Sequence, residues 1–104
     1  MEELIYFLEC VADDPRIATS HISLYVTLWK FWLSAGKTEP LTISRQQLMA
    51  ACKISSLTTY HKAIKDLDEY GYIGYAPSFN RMAGSKVYFT KKGIEACRVM
   101  MQLR

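Results

Sequence analysis

Residues 41–88 read LTISRQQLMAACKISSLTTYHKAIKDLDEYGYIGYAPSFNRMAGSKVY. Ser44 and Gln47 stand three apart, the spacing of a capping box, so a helix is expected to begin there and run to about Cys52. Leu48 and Ala51 are its inward residues, and Ala50 and Ala51 leave room for close packing. Lys53-Ile54-Ser55-Ser56 breaks the pattern, and Ser55 or Ser56 is placed to cap a second helix. That helix is expected from about Ser56 to Tyr70. At about 100° per residue, Leu57, Tyr60, Ala63, Ile64, Leu67 and Tyr70 share one arc, which reads as a core face. Thr58, His61, Lys62, Lys65 and Glu69 share the opposite arc, with Ser56, Thr59 and Asp66 near its edges. Asp66, Asp68 and Glu69 gather toward the C-terminal end, where they oppose the helix dipole.

Gly71 is placed to end this helix with a positive φ. Tyr72-Ile73-Gly74-Tyr75 and Lys86-Val87-Tyr88-Phe89-Thr90 carry the aromatic and β-branched residues of strands. Pro77, Asn80 and Gly84 punctuate the hairpin loop between them, and Arg81 and Lys86 make it basic. Upstream, Thr38-Glu39-Pro40 is a connector, and Leu41-Thr42-Ile43 fits a small first strand that pairs with the ribbon. Strand, helix, turn, helix and ribbon in this order make a helix-turn-helix followed by a wing.

The run SLTTYHKAIKDLDEYGYI, residues 56–73, resembles the recognition helix and first wing strand of prokaryotic winged-helix DNA-binding domains. It is similar to regulators of the multiple-antibiotic-resistance type and to the winged-helix domains of plasmid and phage replication initiators. The likeness spans residues 41–90 and does not choose between regulator and initiator. Those families commonly carry arginine where Lys62 stands, and lysine lacks the planar fork that reads guanine. The resemblance implies an α+β, mostly helical chain: a winged helix-turn-helix with a small antiparallel β-ribbon and extra N- and C-terminal helices. It also implies that Thr58, Thr59, His61 and Lys62 meet the major groove, because the start of a recognition helix lies nearest the base edges, with Ser56 a further DNA-binding residue. Lys65 then suits a phosphate. Ser44, Arg45 and Gln46 open the preceding helix, whose free amides attract a backbone phosphate. Arg81 and Lys86 are expected at the flanking groove.

The 104 residues are expected to form one domain, with N-terminal helices over 1–40, the motif over 41–90 and a last helix over 91–104. The net charge of +3 is unevenly spread. Residues 1–40 hold three bases against six acids, whereas residues 41–104 hold ten bases against four acids. The basic half is the half that carries the motif, as a phosphate-facing surface requires. Glu2 and Glu3 open a first helix in which Leu4, Phe7, Leu8 and Val11 share a face, and Asp13-Asp14-Pro15 ends it. Thr19 or Ser20 is expected to cap a longer helix that ends near Gly36. That helix is apolar on two sides, with Ile22, Tyr25, Val26, Trp29 and Leu33 on one and Leu24, Leu28, Phe31 and Ala35 on the other. The last helix also has two apolar sides, so a homodimer through the terminal helices is expected.

Cys10, Cys52 and Cys97 are odd in number and widely spaced, which suggests neither a disulfide framework nor a zinc site. No apolar run is long enough to span a membrane and no leader pattern opens the chain, so a cytoplasmic setting is expected. No ligand-spaced His/Cys/carboxylate cluster, no nucleophile triad order and no glycine-rich phosphate loop is present, so neither an enzyme nor a cofactor is expected. The expected function is binding of double-stranded DNA, most simply as a transcriptional regulator. The alternatives are a winged-helix protein–protein adaptor and the DNA-binding module of a mobile-element replication or transfer initiator. The tyrosines Tyr70, Tyr72, Tyr75 and Tyr88 are read as core and ribbon packing rather than as a stacking surface for single strands.

Overall fold

The computed structural model describes residues 2–77 and 84–89. Among these the chain is α+β, with four helices and a small antiparallel sheet. Helix α1 spans Glu2–Ala12 and α2 spans Thr19–Ser34. Strand β1 is Leu41–Ile43, helix α3 is Arg45–Cys52 and helix α4 is Leu57–Glu69. Strands β2, Gly74–Ala76, and β3, Ser85–Tyr88, complete the sheet in the order β1-β3-β2. Leu41 pairs with Val87 and Tyr75 pairs with Val87 from the other side, so β3 is central and β1 does close onto the ribbon. No helix among the described residues is long and apolar enough to cross a membrane.

Helix α2 is the hub of the core. His21, Leu24, Tyr25, Leu28, Trp29 and Trp32 are buried on it, and α3 and α4 both pack against it. Both apolar sides are therefore used, although Val26 and Leu33 stay exposed. Phe7 of α1 stacks on Tyr25 at 3.7 Å between centroids, and Phe89 meets Tyr25 and Trp32 at 5.6 and 5.1 Å. This aromatic ladder ties the first helix and the end of β3 to the hub. In α1, Phe7 is buried and Leu4 and Val11 pack partly, but Leu8 is exposed.

Several local expectations change for physical reasons. The cap of α2 is neither Thr19 nor Ser20. Ala18 precedes the helix, and the His21 ring reaches back so that the Ala18 N–H donates to Nδ1 at 2.8 Å. Ser44 does precede α3, but its side chain makes no cap bond, so the capping box with Gln47 does not form. Inside α3 the buried partner of Leu48 is Cys52, one full turn on, while Ala50 and Ala51 are exposed. Ser56 does cap α4, accepting from the Thr59 N–H at 3.3 Å.

Helix α4 ends as a Schellman motif. Gly71 takes φ 86°, its N–H donates to the Asp68 carbonyl, and the Tyr72 N–H donates to the Leu67 carbonyl. The Ile73 N–H goes to the same Leu67 oxygen, so Tyr72 and Ile73 are spent on the helix stop and β2 begins only at Gly74. At the far end the Phe89 N–H donates to Glu39 Oε1 at 2.7 Å rather than continuing β3. The expected helix over 91–104, the loop tip with Arg81, and Cys97 lie outside the described residues. Of the other thiols, Cys52 is buried and Cys10 half-buried.

Candidate nucleic-acid interface

Helix α4 separates its two faces cleanly. Tyr60, Ala63, Ile64 and Leu67 are buried against α2 and β2. Thr58, Thr59, His61, Lys62 and Lys65 are all exposed on the other side. Ser56, also exposed, holds the first turn with its hydroxyl. Two residues of the expected core arc leave it. Leu57 is 46% exposed because it is the first helical residue, with no earlier turn beneath its side chain. Tyr70 is half-buried, with the Arg16 guanidinium 4.0 Å above its ring.

The charge on this face is partly engaged. Lys62 Nζ donates to Asp66 Oδ2 at 3.1 Å, although the lysine side chain is 74% exposed. That hydrogen bond and the nearby negative charge raise the Lys62 ammonium above its ordinary value. Asp66 is itself buried, contrary to its expected place at the edge of the exposed arc. The same Oδ2 accepts from His21 Nε2 at 3.0 Å. Burial by itself pushes the Asp66 carboxyl up, but the hydrogen bonds from His21 and Lys62 outweigh it and leave it below the usual carboxylate value. No local sequence signal marks this pair, since the partners are 45 positions apart.

The start of α4 opens onto a groove of about 400 Å³ shared with the start of α2. Thr19, Ser20 and Ser23 line one side, and Lys53, Ser55 and Thr59 line the other. Ser23 donates to the Cys52 carbonyl, which fixes the turn between α3 and α4 to α2. Lys53 ends α3 in the left-handed region, φ 64°, and this reverses the chain into the short link to α4. Nothing in the sequence marks the hydroxyls of Thr19, Ser20 and Ser23 as neighbours of the site, because α2 reads as a core helix.

Ser44, Arg45 and Gln46 are exposed at the start of α3. Lys86 is half-buried on β3, and its ammonium donates to Thr42 Oγ1 of β1 at 2.7 Å, so it leans over the sheet. Tyr72 packs edge-on to Phe7 and donates to Asp14 Oδ2 at 2.7 Å, and Tyr75 donates to Ser85 Oγ at 3.3 Å. Among the described residues no group of three His, Cys, Asp or Glu side chains is placed to hold a metal ion. No family model, curated protein or solved structure matches the chain.

Proposed function

We propose that this chain is a winged helix-turn-helix protein that binds double-stranded DNA and performs no chemistry on it, most simply to regulate transcription in a prokaryotic cytoplasm. One observation carries the reading: α4 buries one face in the core and leaves Thr58, Thr59, His61, Lys62 and Lys65 together on the other. A helix of 13 residues, capped at its start and backed by a sheet, has the form that enters a major groove. Thr58, Thr59 and His61 are then nearest the base edges, and Lys62, Lys65 and Arg45 hold phosphates. The strand pair β2–β3 supplies the wing, with Lys86 adding charge at its root. Exposed Ile5, Tyr6 and Leu8 on α1, with Val26 and Leu33 on α2, suit a homodimer. A two-fold dimer reads half-sites about one helical turn apart.

The test is the double substitution Lys62→Ala with Lys65→Ala, assayed against several unrelated duplexes over a range of salt. Loss of two phosphate contacts weakens every duplex and makes the slope of log K against log salt shallower by about 1 to 2. Unchanged affinity and slope in a folded double variant would contradict the proposal.

A further inference from the structure

We propose that His21, Asp66 and Lys62 form a proton-operated charge switch beneath the exposed face of α4: when His21 takes up a proton it keeps Asp66, which it already touches, as its counter-ion, and Lys62 is released toward solvent. The further claim, that the released lysine then takes a phosphate, rests on the DNA-binding reading above.

The geometry fixes the resting state. The Ala18 N–H donates to His21 Nδ1, so that nitrogen carries no proton. The ring proton is therefore on Nε2, which donates to Asp66 Oδ2 at 3.0 Å. His21 is a neutral imidazole, Asp66 a carboxylate and Lys62 an ammonium, and the cluster is neutral overall. One carboxylate oxygen serves two donors, one from the buried α2 and one from the exposed face of α4.

A second proton can enter the ring only at Nδ1. There it meets the Ala18 N–H, donor against donor, and the bond that starts α2 is lost. The imidazolium is 6% exposed, and Asp66 is the carboxylate that touches it. A buried cation needs its counter-ion far more than a surface ammonium does, because water already solvates the latter. Lys62, 74% exposed, gives up its contact and turns outward. The charged groups beyond Tyr70 are already paired with each other. Tyr70 of α4 lies 6.2 Å away between centroids, and on the α1–α2 link Arg16 stands over Tyr70 and pairs with Asp14 at 2.8 Å. Asp14 is held well below the ordinary carboxylate value, first by its hydrogen bond from Arg16 and then by that from Tyr72. Arg16 is held above its own ordinary value, chiefly by Asp14.

Protonation thus changes the cluster from neutral to singly positive on the side that faces a duplex. One extra cation available to phosphate raises affinity about eightfold at 0.1 M salt and steepens the salt slope by about 0.9.

Two measurements on the full chain test this over about pH 5.5 to 8, the range in which histidine side chains change charge. The first is NMR of the free protein. The Ala18 amide and the Lys62 ammonium are expected to shift along the same titration curve as the His21 ring, and the Lys62 step is expected to vanish in Asp66→Asn. The second is affinity for a 20-base-pair duplex at 0.1 M salt. It uses the His61→Gln background, because His61 is a second histidine exposed on the same face. The background protein is expected to bind about eightfold more tightly at pH 5.5 than at pH 8. Adding His21→Gln should abolish that gain, and adding Asp66→Asn should fix binding at the tighter level. An Ala18 amide or a Lys62 ammonium that ignores the His21 titration overturns the switch, and this readout needs no substitution to fold. An equal pH response with and without His21→Gln overturns the link to duplex binding. If no duplex binds at any pH, the DNA reading fails while the first measurement still decides the release of Lys62.

Discussion

Gly84 lies against the backbone of Ile43: a Cβ on Gly84 would stand 2.8 Å from the Ile43 carbonyl oxygen and 3.0 Å from Thr42 Cγ2. The contact sits just before β3, where Ser85 pairs with Ile43, and Gly84 holds φ +71°. Gly84→Ala meets both a backbone clash and an unfavourable conformation. The expected loss is on the order of 2 kcal/mol in chemical denaturation. Hydrogen exchange should locate it: amides of β1 and β3 lose protection first, and those of α2 and α4 hold until global unfolding. Wild-type stability in Gly84→Ala would show that the strands do not approach as described.

Asp66 links the stability of the fold to acid. Its carboxyl is lower in the folded protein than in the unfolded chain, so folding favours the ionised form. That contribution is complete above the ordinary carboxylate pKa of about 3.9 and disappears as pH falls from there through the lower folded value. Asp66→Asn removes a charged acceptor from His21 and Lys62, with an expected cost on the order of 1 to 2 kcal/mol at neutral pH. The gap between wild type and variant should close as pH drops below the carboxylate range. A gap that is constant down to the acid transition would mean that the pair does not hold Asp66 ionised.

Lys53 occupies a backbone conformation that suits glycine. With φ 64° it ends α3 and aims the chain into α4. Lys53→Gly relieves a left-handed side-chain residue and should stabilise the fold by about 1 kcal/mol. Because Lys53 also lines the groove beside α4, the same variant should bind a duplex more weakly through the lost charge. Denaturation and duplex titration on one sample separate the two effects, and a destabilised Lys53→Gly would contradict the turn geometry.

The periodic parts of this fold are legible in the sequence, and the long-range partnerships of single side chains are not. Hydrophobic spacing marks α1, α2 and α4, and Ser56 and Gly71 mark both ends of α4 through mechanisms that act locally. Leu41-Thr42-Ile43 emerges as β1 for the same reason, a short apolar alternation between breakers. The burial of Asp66 is hidden because on a helical wheel it sits beside Lys62 and Glu69, and its partner His21 belongs to another helix. The start of β2 is displaced because the amides of Tyr72 and Ile73 serve the helix stop, a competition that strand propensity does not weigh. Of the candidate contact residues, those on α4 and at the start of α3 are exposed as expected. Lys86 is diverted to Thr42, a cross-strand neighbour visible only once the register is known.

The central claim is that the exposed face of α4 enters a duplex, and amide NMR of the labelled protein titrated with a short duplex tests it most directly. The account predicts that the largest shifts fall on residues 56–65 and on Ser44, Arg45 and Gln46, while Ile5, Tyr6 and Leu8 of α1 stay unmoved. Saturable binding whose shifts cluster on α1 and leave Thr58, Thr59, Lys62 and Lys65 unchanged would contradict it.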